Sequence, residues 1–312
     1  QYSAIKRRAQ DCLKKNTSFK HILKGFEYFK NENFDLAQHE LKLFYENFKL
    51  DQLPKIDSRL THNNDVAVVV VTYGTKKQVV DCVKSLLNQT SNTHEVIIIN
   101  NGDNDDVMTE LFSMPVLYVH SPINFFPSLG RNIGAAMTNA RLVCFIDDDS
   151  IVDKNYIKSV NNIFNKYNII GMRGRILPKN QDKLMHCPEF YDPGLIITPS
   201  SLPIEGNTAF IRDAYNQLGG MDPLLFGGEG LDLSYRISQK YGPYAIAYSP
   251  DSLIYHDPSD TKKSKIKAER YKIMHKYLNL KNKNIWKFYQ EYEMIDSANR
   301  YLSKLQHSLH SI

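Results

Sequence analysis

The sequence predicts an α/β protein: a mostly parallel sheet flanked by helices, with a helical hairpin region before it and a helical tail after it. Three observations carry this expectation. VAVVVVTYG, HEVIIINNGD and RLVCFIDDDS are apolar, β-branched runs without alternation, the pattern of strands covered on both faces. Between them, KKQVVDCVKSLLNQT and SLGRNIGAAMTNA place apolar residues at helical spacing. Each strand-like run ends in turn chemistry, so strand and helix take turns, as in a doubly wound sheet.

Taken in order, residues 1 to about 60 read as helical and free of strand-like runs. Within GFEYFKNENFDLAQHELKLF, Gly25, Tyr28, Ala37, Leu41 and Phe44 fall at the offsets of a tetratricopeptide-type hairpin. Only one such unit is visible, which fits a hairpin packed on the main domain better than a free-standing array. LDQLPKIDSRLTHNND reads as a linker. The strand VAVVVVTYG follows, then a helix, the strand HEVIIINNGD, a short helix at MTELFSM and the strand VLYVHS. A helix opened by Ser128 leads to RLVCFIDDDS. NIIGMRGRILP is a further strand, and DKLMHCPEFYDPGLIITPSS is loop-rich. GNTAFIRDAYNQLGGMD gives an edge strand and a helix, and YAIAYSPDSLIYHDPSD one or two strands ending at His256. This divides the chain into a helical region at 1–62, an α/β domain at 63–260 and a basic helical extension at 261–312.

Composition is that of a globular protein: 42% hydrophobic and 23% charged residues, enough for a sizeable core. A net charge of +5 does not argue for nucleic acid. Cys12, Cys82, Cys144 and Cys187 lie far apart without a CxxC pair, which suits free thiols in a reducing compartment. No run approaches the ~18 apolar residues of a membrane span. These features predict a cytoplasmic protein. Gln1 in place of Met fits a segment cut from a longer chain. Ten Lys/Arg between Lys262 and Lys287 stand against the single acid Glu269, the make-up of a solvated helix face or of a contact with an anionic membrane or glycan.

In doubly wound sheets, ligands bind at the carboxyl ends of the strands. There the sequence places FIDDDS. Three adjacent carboxylates, Asp147, Asp148 and Asp149, repel one another unless a cation sits among them. Asp147 and Asp149 share a side by alternation and offer oxygen ligands to one hard divalent ion. The competing reading is an acidic turn, with Asp149 or Ser150 capping the next helix. Gly130, Arg131 and Gly134 at a helix start suit a phosphate, but small residues at that spacing also serve helix packing. His256 at another strand end completes a donor set suited to Mn²⁺ or Mg²⁺. FGGEGLDLSYRIS sets Glu229 among three glycines at a helix mouth, with Asp232 in the first turn.

The ordered set VVTYG, IINNGD, GRNIGAA, FIDDDS, GNTAF, GGMD, FGGEGLDLSYR and YHD resembles family 2 glycosyltransferases of the GT-A fold. Bacterial glycosaminoglycan and capsule synthase modules, of the chondroitin, hyaluronan and heparosan type, are the most similar. The resemblance covers roughly residues 65 to 258. It implies an inverting, metal-dependent transfer of a hexosyl, hexosaminyl or glucuronosyl group from a UDP-sugar to a glycan or lipid-linked glycan, in surface or capsular polysaccharide synthesis. Thr72, Tyr73, Asn100 and Asn101 would line the uracil pocket, although the family usually holds an aspartate where this chain has asparagines. Arg131 would lie near the diphosphate. Asp147 and Asp148 would contact the donor, and Asp147, Asp149 and His256 the metal. The base of such enzymes sits in a Glu-Asp pair, which here reads Glu229-Gly230. Glu229 and Asp232 are the candidates for it. The missing acid and Asn100 keep open a degenerate transferase domain acting as a scaffold, with a protein partner at the N-terminal helices. A sugar nucleotidyltransferase is the other alternative.

Overall fold

A computed structural model describes residues 2–60, 64–74, 77–102, 109–258 and 265–310. The core is one mixed sheet in the order β1-β4-β3-β2-β5-β9-β7-β10-β6, with β8 paired to β10. The strands are β1 (Lys55–Asp57), β2 (Val66–Thr72), β3 (His94–Asn100), β4 (Leu117–His120), β5 (Leu142–Asp147), β6 (Ile151–Val152), β7 (Gly171–Leu177), β8 (Thr198–Pro199), β9 (Asn207–Ile211) and β10 (Ile246–Tyr255). β4, β3, β2 and β5 are parallel, as the continuous apolar runs predict. Val68, Val69, Val70, Ile97, Ile98, Cys144 and Phe145 are fully buried at its centre.

Register fixes where the polar strand ends fall. Thr72 lies opposite Asn100, Asn100 opposite His120, and Val71 opposite Asp147. The polar residues that close these strands therefore share one edge. On the far half of the sheet, Tyr255 lies opposite both Leu177 and Ile151. That pairing brings the residue after β10 beside the turn after β5. β10 is one strand with an irregularity between Ser249 and Leu253.

Helices α4 (Gln78–Leu87), α5 (Phe126–Ala136), α6 (Tyr156–Lys166), α7 (Arg212–Gln217) and α8 (Glu229–Tyr241) flank this sheet. α5 begins two residues before Ser128 and carries proline in its first turn. Its glycines are set by packing on β2. A Cβ on Gly130 would meet Val71 at 2.9 Å, and one on Gly134 would overlap Val69.

Two expectations change, and the packing of the terminal helices is added to them. First, β1 forms inside the linker and pairs antiparallel with β4, so the region before residue 62 adds an edge strand. Second, β9 is interior: it runs antiparallel between β5 and β7, its length satisfied on both sides by main-chain hydrogen bonds. In addition, the terminal helices are built into the core. α1 (Tyr2–Lys15), α2 (Ser18–Lys30) and α3 (Phe34–Asn47) precede the sheet; α9 (Lys265–Lys281) and α10 (Ile285–His310) follow it. Phe19, Ile22 and Phe44 pack with Ile97, Phe125 and Leu129. Phe29 and Ala37 pack with Leu224, Leu231, Met274, Tyr277 and Leu278. The α2–α3 hairpin has the small-residue contact its spacing predicts, since a Cβ on Gly25 would lie 3.4 Å from the Ala37 carbonyl.

Candidate active site

The turn after β5 carries the acidic triplet, and its three members do different things. Asp147 accepts a hydrogen bond from Arg131 Nη2 at 2.8 Å. Asp148 is buried and accepts from the Thr72 hydroxyl at 2.7 Å. Asp149 Oδ1 lies 3.2 Å from His256 Nε2. Burial lowers the proton affinity of His256, and the hydrogen bond and charge of Asp149 more than reverse this, leaving its pKa raised. The capping alternative for the triplet does not hold. β6 intervenes before α6, and Asp153 receives the Asn155 amide at the mouth of that helix.

Among the described residues, no group of three or more His, Cys, Asp and Glu side chains is gathered as a metal cage. Asp149 and His256 converge. A carboxylate oxygen and an imidazole nitrogen suit Mn²⁺ or Mg²⁺ in type, with further positions left to a ligand's oxygens. Asp147, expected as a third ligand, is turned toward Arg131.

At the end of β3, the asparagines face inward. Asn100 Nδ2 donates to the Tyr118 hydroxyl at 2.7 Å and lies 3.3 Å from His120 Nδ1. Its Oδ1 accepts from the Gly102 amide at 3.1 Å. Asn101 braces the start of α5, accepting from the Phe125 amide and donating to the Phe126 carbonyl. Tyr73 is the open member of this corner, 60% exposed. A Cβ on Gly102 would come within 3.2 Å of its ring, so the two chain segments lie close.

Arg131 is the hub on the other side. Besides Asp147, its guanidinium faces Glu229 Oε1 at 3.6 Å. Burial works against its charge, and Asp147, Glu229 and Glu205 overcome that, raising its pKa. Glu229 opens α8 in a bend that needs glycine: φ is +121° at Gly227 and +75° at Gly228. The Glu229 carboxylate accepts from the Gly227 amide at 2.6 Å. Asp232 is not brought to this group. It is fully buried one turn along α8, held by Arg236 at 2.8 Å, Lys281 at 3.0 Å and Asn282 at 2.9 Å.

Two further residues join the site without having stood out in the sequence. Glu205, just before GNTAF, accepts from the Gly230 amide at 2.8 Å. A Cβ on the next residue, Gly206, would overlap the Asp147 carboxylate, so this loop lies directly against the triplet. Its position beside a close-approach glycine was the available signal. Tyr191 stands edge-on to His256, with ring centroids 6.2 Å apart. It sits in the loop-rich segment, where nothing in the sequence fixes its direction.

The fold is of the GT-A type, and strand-end carboxylates, an imidazole, a buried arginine and further acidic residues gather at one of its sheet edges. Residues 67–219 match the model of Glycosyl transferase family 2, and the chain carries a family 2 glycosyltransferase domain. It is 29% identical over 100 residues to glycosyltransferase GlyG of Streptococcus pneumoniae, covering 30% of this chain and 33% of that protein. It is 31% identical over 117 residues to chondroitin synthase of Escherichia coli, covering 37% of this chain and 16% of that one. These matches span a third or less of those curated relatives. The crystal structure of S. aureus TarS 1-349 in complex with UDP-GlcNAc superposes with a TM-score of 0.52 at 12% identity, over 69% of this chain and 72% of that one. That likeness is one of fold. No helix among the described residues is long and apolar enough to cross a membrane. Cys12, Cys82, Cys144 and Cys187 are free thiols.

Proposed function

We propose that this protein moves a sugar from a UDP-sugar to a hydroxyl of a glycan or glycolipid acceptor, with inversion, in surface polysaccharide synthesis. The observation that carries the reading is the meeting of the Asp149–His256 pair, the Arg131–Asp147 pair and Glu229 at one sheet edge of a family 2 domain. The UDP-GlcNAc of the TarS complex supports a UDP-sugar as donor, and the chondroitin synthase likeness supports a glycan product.

In this reading, Tyr73 offers its open ring to the base, with the Thr72, Asn100 and Asn101 network shaping the floor beneath. Arg131 supplies fixed positive charge near the diphosphate. Asp149 and His256 would hold Mn²⁺ or Mg²⁺, which when bound offsets charge on the departing diphosphate. A carboxylate of the acidic group opposite takes the acceptor's proton. Asp232 serves indirectly, by fixing the start of α8 that presents Glu229.

Incubation with a panel of UDP-sugars, Mn²⁺ and oligosaccharide acceptors should release UDP from one donor. No release, together with no UDP binding by calorimetry, would sink this reading and leave the scaffold alternative, which the absent side chain at Gly230 favours. Pyrophosphate formed from UTP and a sugar phosphate would point to a nucleotidyltransferase.

The basic extension adds contact with an anionic membrane on charge alone. Lys262 and Lys263 lie outside the described residues. Lys272, Lys276 and Lys281 are paired with Glu269, Glu32 and Asp222. Co-sedimentation with vesicles containing anionic lipid, lost at high salt, is the expected result; equal recovery with neutral vesicles counts against it.

A further inference from the structure

The mouth of α8 has a gap at Gly230, and the gap is filled from elsewhere. A Cβ on Gly230 would stand 2.5 Å from the Leu202 carbonyl and 2.9 Å from Glu205 Oε1. Backbone closes this position to any side chain, because a carbonyl cannot swing aside as a flexible side chain can. A carboxylate nevertheless occupies the space: Glu205 reaches in from the loop before β9 and receives the Gly230 amide at 2.8 Å. The acid is thus delivered from the sheet side of the cleft instead of from the helix.

We propose that Glu205 is the group that takes the proton from the acceptor hydroxyl. This rests on the transferase reading above and decides which carboxylate acts. Glu229 is poorly placed for the task. It is buried, and its carboxylate is engaged by the Gly227 amide and faces Arg131. The Gly227 amide and Arg131 fix its direction, while burial raises its pKa as it does that of Glu205. Glu205 is only partly buried and lies next to Gly206, whose lack of a side chain lets the loop touch Asp147.

The groups facing Glu205 come from three elements: Glu229 from α8, Arg131 from α5 and Asp147 from β5. Burial first, and then the charge of Glu229, push its carboxyl up to about 8, with Arg131 and the Gly230 amide pulling the other way. In its ionised form, a carboxylate so lifted is a stronger proton acceptor than an ordinary one.

The step balances as follows. The acceptor oxygen forms a bond to the anomeric carbon of the donor sugar. The bond from that carbon to the diphosphate oxygen breaks, and its electron pair leaves with UDP. The hydroxyl proton passes to the Glu205 carboxylate, which becomes a neutral acid and returns the proton to solvent.

The test uses the full chain, the donor panel with Mn²⁺, and UDP itself as the binding probe. Glu205→Gln should lower transfer by about 10²- to 10⁴-fold while UDP affinity stays within about twofold, as expected of a group that acts on the acceptor. Transfer at the wild-type rate overturns the assignment. So does a parallel loss of UDP affinity and transfer, which would make Glu205 a donor-binding group. Should the amide disturb folding, Glu205→Asp decides: it keeps the charge and withdraws it by one methylene. Slower turnover at unchanged UDP affinity supports the role, and unchanged turnover overturns it. Wild-type protein that neither binds UDP nor releases it from any donor fails the transferase reading itself, and the assignment with it.

Discussion

Asp149→Ala is expected to abolish UDP release and to weaken Mn²⁺-supported UDP binding, while the protein melts at nearly the wild-type temperature. Asp149 sits in the turn between β5 and β6, 3.2 Å from His256, the residue after β10. About a third of its side chain is exposed, so truncation leaves no cavity in the core. Loss of an outer partner of a metal ligand already costs about 10- to 100-fold in affinity or activity, so loss of a ligand should cost more than ~10²-fold. Calorimetric titration with UDP, with and without Mn²⁺, separates the outcomes. If Asp149→Ala releases UDP as the wild type does, Asp149 has no part in the chemistry. If it binds UDP equally well with and without the ion while the wild type depends on it, the ligand role stands. His256→Ala should behave alike, because the two side chains face the same point.

The second large effect lies away from the chemistry. Arg173→Met is expected to cost about 3–5 kcal/mol of stability, the range for leaving one member of a buried ion pair uncompensated. Arg173, on β7, is wholly buried. It donates to Ser200 Oγ at 2.6 Å, to the Phe190 carbonyl at 2.7 Å and to Asp296 Oδ2 at 2.5 Å. Its guanidinium also lies 4.9 Å from the centre of the Tyr248 ring. One side chain therefore ties the sheet, the loop before β8 and α10 together. Burial lowers the pKa of Arg173 and raises that of Asp296, so the cost of desolvation exceeds what the pair returns. The double variant Arg173→Met with Asp296→Leu should accordingly recover most of the loss. Urea unfolding of the two single variants and the double one checks this. A double variant as weak as Arg173→Met would show that the Ser200 and Phe190 bonds carry the stability instead.

The consequence for function runs through the loop-rich segment. α10 holds it along its length: Asn299 exchanges hydrogen bonds with Ile196, Ser303 Oγ receives the Leu195 amide, and Arg300 pairs with Glu189. Gly194 is required where the two meet. Its φ is +126°, and a Cβ there would stand 2.7 Å from Asn299 Oδ1. The same loop carries Tyr191, which faces His256. A tail legible in the sequence only as basic and helical thus braces one wall of the site.

Much of the sheet was legible because its signal is local. A run such as VAVVVVT names a strand covered on both faces without reference to any other segment, and such runs predict parallel neighbours. Those runs also mark where they stop, which is why Asp147, Asp149, Asn100 and His256 were identified as edge residues. β9 was harder. NTAFI is short, and its interior position depends on β5 and β7 lying on either side, a matter of pairing between distant segments. β1 was missed for the same reason: KID has no pattern of its own and becomes a strand because β4 offers it an unpaired edge.

In the site, residue types were readable and directions were not. Asp232 and Glu229 looked alike as acids at a helix mouth. One helical turn separates them, and that turn sends Asp232 toward Arg236 and Lys281 and Glu229 toward Arg131. Asn100 looked like a base-reading residue, and its amide is engaged instead by Tyr118 and His120.

By itself the sequence determined that this chain builds an α/β sheet whose strands end in carboxylates and an imidazole, because periodicity and turn chemistry are properties of adjacent residues. Only the tertiary structure decided which of those groups meet. Arg131 with Asp147, Asp149 with His256, and Glu205 in the space at Gly230 are contacts between segments 16 to 107 residues apart. They depend on strand register and on how closely backbone approaches backbone, and no local pattern encodes either.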